Sequence, residues 1–252
     1  MRNNGMGEKE MQDRLFSDRQ LIKLMIPLVI EQGLTILVGM CDGVMVSAVS
    51  EAAISGVSLV DMINAVILVL FAALATGGAV VTSQLLGARR TADARRSAGQ
   101  LVSLTFAMGC LMMALCLIFA RGLLKLFFGS IADDVMAAGL IYLRITALSF
   151  PFIALYNAGA AIFRSVGNSK VSMQVSLWMN GINVAGNALC VFVLKMGVAG
   201  VAVPTLVSRA VAAVMILTMA SRKGQELTLD ASSLYPIDRQ VMGKILRIGI
   251  PS

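Results

Sequence analysis

The sequence predicts an all-α membrane protein, a six-transmembrane-helix bundle, and three observations carry that reading. Of its 252 residues, 58% are hydrophobic and only 14% are charged, against about 25% charged residues in a soluble domain; the mean hydropathy is +0.83. Six apolar runs are long enough to cross a bilayer, at about 24–46, 57–86, 99–120, 138–163, 171–194 and 198–220. The basic residues fall between these runs unevenly, 16 Lys and Arg on one side against 4 on the other, with Arg209 inside the sixth run. That asymmetry predicts a multi-pass protein of the cell (inner) membrane with both termini of the chain cytoplasmic, and an even number of spans requires both ends on one side. The net charge of +7 is thus a matter of topology, and without interleaved aromatic and basic residues nucleic acid is not an expected partner.

Residues 1–20 read as a cytoplasmic tail, 21–222 as the six-helix lobe, and 223–252 as a cytoplasmic linker followed by the start of a seventh helix. Residues 1–23 hold five basic and four acidic side chains and no apolar core, so the first span itself is expected to direct insertion. The first span, Ile26 to Gly43, carries two carboxylates, Glu31 and Asp42. A charge near the middle of a membrane helix costs at least ~2.5 kcal/mol, so such groups face a bundle interior or a watery cavity. Eleven residues separate the two, which places them about 20° apart around the helix and roughly 16 Å apart along it. Asp42 is the leading candidate site residue; the alternatives for it are a helix-end cap or a pair with a lysine. Glu31 is a second candidate, unless Gln32 or a backbone carbonyl satisfies it. Gly39 and Gly43 form a small-xxx-small pair expected to make a packing contact.

In the second span, Asp61 lies near the start and is expected at the interface. Met112 and Met113 of the third span read as apolar filler. The four cysteines, Cys41, Cys110, Cys116 and Cys190, sit within the spans without metal-ligand spacing and are expected to be reduced packing residues. The fifth span aligns Asn180, Asn183 and Asn187 on one face by offsets of three and four. Such a stripe either glues helices together or lines a polar cavity. At the end of the chain, Ile245-Leu-Arg-Ile-Gly-Ile-Pro251 repeats the pattern of Leu21-Ile-Lys-Leu-Met-Ile-Pro27 after 224 residues. Parallel halves of this kind recur in transporters, so a second copy is expected to begin there and Ser252 is expected to be a truncation point.

Absent chemistry narrows the class. There is no histidine, hence no imidazole base or ligand, and no Walker A loop or intramembrane-protease motif. An ion-coupled transporter fits better than an enzyme or an ATPase, with no cofactor expected.

Taken together, several motifs make the chain resemble the multidrug and toxic compound extrusion (MATE) family. They are Ile-Pro-Leu-Val-Ile-Glu-Gln-Gly-Leu with Asp42-Gly in the first span, Ala75-Thr-Gly-Gly-Ala-Val-Val-Thr-Ser-Gln-Leu-Leu-Gly-Ala88, and Phe150-Pro-Phe with Phe163-Arg-Ser-Val-Gly-Asn-Ser-Lys170. Asn183-Val-Ala-Gly-Asn187 and Gly197-Val-Ala-Gly-Val-Ala-Val-Pro-Thr205 follow in the family's order. The resemblance covers about residues 20–252 and implies the N-lobe of a two-lobed, twelve-helix transporter, with a missing C-terminal lobe as partner. It implies that Asp42 is the cation-coupling aspartate and that Asn183, Asn187 and Thr205 complete its cluster, with Glu31 and Asn180 as cavity-lining candidates. Asn187 stands where some relatives carry Asp, and Pro204 precedes Thr205 where Ala is the usual residue.

The implied function is a secondary antiporter exporting amphipathic, often cationic organic compounds in exchange for H⁺ or Na⁺ across the lipid bilayer. One alternative is a flippase for lipid-linked precursors, whose cavity would hold several basic residues; here Arg144 and Arg209 alone lie near the bilayer. Another is a non-transporting membrane scaffold, because half of a two-lobed machine lacks the second wall of its cavity.

Overall fold

The computed structural model describes residues 18–222, 227–230, 233 and 239–249. Every regular element among them is helical: α1 (Asp18–Ser47), α2 (Glu51–Gly87), α3 (Thr91–Phe128), α4 (Asp133–Ala147), α5 (Phe150–Ser165), α6 (Ser169–Ala188), α7 (Ala199–Ala220) and α8 (Arg239–Gly249). Five of them are long and apolar enough to cross a membrane, and α4 and α5 together make a sixth span bent by 47°. The expected all-α six-helix bundle is therefore present, with one correction, because the run 138–163 is not a continuous helix. Pro151 favours the break, because its ring would crowd the carbonyl of Ala147, four residues earlier. The chain turns at Leu148 and Ser149, where the Ser149 hydroxyl donates to the Thr146 carbonyl at 2.6 Å, and α5 restarts with proline in its first turn.

Local chemistry sets the other ends. Ser50 caps α2 by accepting from the Ala53 amide at 3.0 Å, satisfying a donor that a helix start leaves free. The α3 helix stops at Gly129, which adopts φ 67°, a left-handed conformation that costs glycine little. The α6 helix ends in one turn of π-helix over Leu189–Val193.

The core is built on α2, α3, α5 and α7, where Phe71, Leu101, Phe150 and Ile216 are fully buried. Phe71 and Phe150 meet edge to face at 6.2 Å between centroids. The α1 helix stands apart from this core: Val29, Ile36, Leu37, Met40 and Val44 are exposed along it, and it rests chiefly on α6, with a shorter seam on α2. Gly39 and Gly43 do not make the expected packing contact among the described residues, none of which lies within 4 Å of a side chain added at either. The C-terminal helix α8 folds back onto α2, with Ile245 fully buried and the Gly249 backbone within 3 Å of a side chain added at Gly77. The tail before Asp18, most of the linker, and Ile250 and Pro251 of the sequence repeat lie outside the described residues.

Candidate functional site

Between α1, α2, α4, α5, α6 and α7 lies a cavity of about 510 Å³. Its polar wall comes from α6, where the helical spacing turns Asn180, Asn183 and Asn187 inward, each buried. Asn187 Nδ2 donates to Asp42 Oδ1 at 2.6 Å and lies 3.2 Å from Asn183 Oδ1. Asn183 Nδ2 in turn donates to Thr205 Oγ1 at 2.9 Å, and the Thr205 hydroxyl donates to the Val201 carbonyl at 2.9 Å. One connected cluster thus joins α1, α6 and α7. It needs close approach of α6 and α7, which Gly186 provides: a Cβ there would meet the Pro204 ring at 2.7 Å. Pro204, the departure from the expected Ala-Thr, accordingly sits against Gly186 while Thr205 faces the cluster.

Asp42 is neither a helix-end cap nor a lysine partner, since α1 continues to Ser47 and its partner is an amide. The carbonyl oxygen of Asn187 is buried with no hydrogen-bond partner among the described residues. A carboxylate, amide oxygens and a hydroxyl gathered in this way form a hard-oxygen set suited to a small cation. Asn180 stands at the edge of the cluster and donates to Ser176 Oγ at 3.2 Å.

Glu31 lines the same cavity and is 8% exposed. Among the described residues, its partners are neither Gln32 nor a backbone carbonyl. The Tyr156 hydroxyl donates to its Oε1 at 2.8 Å, Ser172 Oγ donates to Oε2 at 3.3 Å, and Arg164 Nη1 lies 3.9 Å from Oε1. These partners come from α5 and α6, so Glu31 latches α1 to the bundle about three helical turns from Asp42.

Asp61 departs from its interfacial expectation, because it lines the cavity with Asp42. It accepts from Asn64 Nδ2 at 3.4 Å, and Tyr142 lines the same space. Arg209 points into the same space from α7, one turn after Thr205, and Nη1 donates to Ser149 Oγ at 2.7 Å. It shares the cavity with Asp42 and Asp61. Sequence reasoning passed over Asn64, Tyr142, Tyr156 and Ser172. The one available signal was spacing: Asn64 follows Asp61 by three residues and Arg209 follows Thr205 by four, each on a shared helix face.

The MatE family model matches residues 27–189 of this chain. The chain belongs to the MatE family. Among MatE relatives it is similar to an uncharacterized transporter YisQ of Bacillus subtilis (strain 168), with 30% identity over 97% of this chain and 53% of the relative. It is also similar to the multidrug export protein MepA of Staphylococcus haemolyticus, at 25% identity over 94% of this chain and 53% of that protein. The probable multidrug resistance protein NorM of Thermotoga maritima shows 29% identity over 93% of this chain and 50% of its own length. The chain therefore spans about half the length of the curated relatives it matches. Two solved folds superpose on it: a MATE crystal structure in the bent conformation, with TM-score 0.85, 24% identity, 92% of this chain and 51% of that one, and an inward-facing multidrug resistance MATE transporter, with TM-score 0.80, 24% identity and coverage of 92% and 52%. The MatE match includes Asp42 and the asparagine stripe; Thr205 and Arg209 lie beyond it.

Proposed function

We propose that this chain is a lobe of a secondary exporter that exchanges H⁺ or Na⁺ for amphipathic organic cations. The observation that carries the reading is the 2.6 Å bond from Asn187 Nδ2 to Asp42 Oδ1, within a cluster whose neighbouring amide oxygen has no partner among the described residues. Asp42 supplies the charge that binds one small cation at a time. Asn183, Asn187 and Thr205 supply neutral oxygens for Na⁺, and the carboxylate alone serves for a proton. An occupied and an empty Asp42 cluster present different charge to the adjoining cavity, which links ion occupancy to substrate occupancy; such linkage is reciprocal.

The flippase alternative is not favoured by the lining of the cavity, in which Arg209 is the single basic side chain among the described residues. The cell membrane as location, with the Arg89–Arg96 side facing the cytoplasm, follows from the charge distribution.

The test is efflux of a fluorescent cation from energised cells expressing the protein from its own gene, scored against membrane abundance. Asp42→Asn keeps the volume and polarity and removes the charge, so efflux is expected to be lost at equal abundance. Efflux at the wild-type rate would remove Asp42 from the mechanism.

A further inference from the structure

Arg209 is the charged residue of the cavity that neither the Asp42 cluster nor the Glu31 latch uses. It stands halfway along α7 (Ala199–Ala220), where a charge is costly in a membrane helix and is retained only toward a cavity or a partner. The outer side of α7 carries Val207 and Val214, both exposed, whereas Thr205, Ser208 and Arg209 share the inward side by offsets of three and four.

The guanidinium has a fixed seat. The break between α4 and α5 leaves Ser149 in a turn, fully buried, and Ser149 Oγ accepts from Arg209 Nη1 at 2.7 Å while donating to the Thr146 carbonyl at 2.6 Å. The anchor is thus a neutral hydroxyl. Among the described residues no ion pair within 4.0 Å joins Arg209 to a carboxylate. None of its nitrogens is buried without a partner, so the N–H groups that Ser149 leaves free open into the cavity that Arg209 lines.

The carboxylates in the same space are held in the same manner. Asn187 meets Asp42 and Asn64 meets Asp61, so each charge is steadied by a neutral group and none is cancelled by direct contact. Glu31, the other charged residue of the lining, has its own counter-charge in Arg164, 3.9 Å away. Asp42 and Asp61 therefore leave two negative charges in the cavity against the one positive charge of Arg209, a deficit of one positive charge. A guanidinium keeps its proton throughout the physiological range, so its share of that balance is constant.

We propose that Arg209 is the charge filter of this cavity: a resident cation that fixes the deficit at one, admits a single positive charge at a time and discriminates against dications. In its bearing on the organic cargo this rests on the export reading above. The field inside a cleft with low-dielectric walls is set by the sum of its charges, and selectivity is a difference between two affinities that a repulsive group can create. A singly charged amphiphile balances the cavity. A second positive charge would have to enter against the guanidinium with nothing left to offset it.

The test compares ethidium, a monocation, with propidium, a dication built on the same phenanthridinium ring, binding to the purified protein expressed from its own gene. Binding is followed by dye fluorescence at one pH and ionic strength, without any ion gradient. The wild-type protein is expected to prefer ethidium. Arg209→Gln raises the deficit to two and is expected to shift the preference toward propidium about tenfold or more, whereas Arg209→Lys keeps the wild-type preference. Asp61→Asn removes the deficit and is expected to shift the preference about tenfold the other way. The double variant Asp61→Asn with Arg209→Gln restores a deficit of one and with it the wild-type preference, a compensation that a merely structural role of Arg209 would not produce. An unchanged preference in Arg209→Gln, or a double variant that still favours propidium as Arg209→Gln does, would overturn the proposal. Where Arg209→Gln does not fold, Asp61→Asn decides, since an unchanged preference there contradicts the filter equally. Failure of the export reading would appear separately, as a wild-type protein that binds neither dye, and would take the proposal with it.

Discussion

Asn187 Nδ2 donates to Asp42 Oδ1 across the α1–α6 seam at 2.6 Å, although 145 residues separate the two in the chain. This single bond ties the most exposed helix of the bundle to its most polar one, and the behaviour of the site depends on it. Asn187→Ala removes one neutral partner and leaves the charge of Asp42, so efflux is expected to fall about tenfold without vanishing, the scale of one hydrogen bond to a charged group. Efflux of a fluorescent cation at matched abundance checks this; complete loss would mean that the amide does more than orient the carboxylate.

Gly186 offers a purely steric test of the same cluster. A Cβ there meets Pro204 at 2.7 Å, so Gly186→Leu must part α6 from α7 and break the Asn183–Thr205 bond. Efflux should drop to background, whereas Gly181→Leu, on the same helix with open space around it, should keep it. Equal effects of the two substitutions would show that the close approach is irrelevant to the site.

Glu31 is expected to behave as a latch rather than as an ion site. Tyr156→Phe deletes the 2.8 Å donor to a buried carboxylate and is expected to cost about 1–3 kcal/mol of stability. Thermal unfolding of the purified protein would register this. An unchanged melting temperature would show that Ser172 and Arg164 suffice to hold the group.

Orientation is tested by accessibility. In a background free of Cys41, Cys110, Cys116 and Cys190, a cysteine at Ser50 or Ser130 should react with an impermeant thiol reagent applied outside intact cells, and one at Arg90 should not. Labelling at Arg90 would invert the topology drawn from the basic residues.

Much of this architecture was legible in the sequence because a bilayer makes simple demands. Apolar length gave the spans, the offsets of three and four gave the inward face of α6, and a carboxylate in an apolar helix pointed at Asp42. Other features depend on which helices become neighbours, which one-dimensional spacing does not contain. Asp61 read as interfacial because it sits early in its apolar run, yet α2 begins at Glu51, and that longer helix carries Asp61 into the cavity. The Glu31 latch required knowing that the Tyr156 side chain of α5 reaches α1, since Tyr156 has no sequence relation to Glu31. Gly39 and Gly43 illustrate the opposite error: a packing motif needs a partner helix, and none lies against that face among the described residues. The bend between α4 and α5 was available only in part, because Pro151 disfavours a continuous helix while Pro27 and Pro204 lie inside α1 and α7 without breaking them.

The central claim is exchange at Asp42, and a gradient imposed on proteoliposomes tests it most directly. The protein expressed from its own gene is reconstituted, a Na⁺ or H⁺ gradient is applied, and movement of a fluorescent organic cation is followed together with the counterflow of the ion. The account predicts that the organic cation moves against the direction of ion flow, reverses when the gradient is reversed, and stands still in Asp42→Asn vesicles of equal protein content. Cation movement that ignores both gradients, or that persists unchanged in Asp42→Asn, would contradict it.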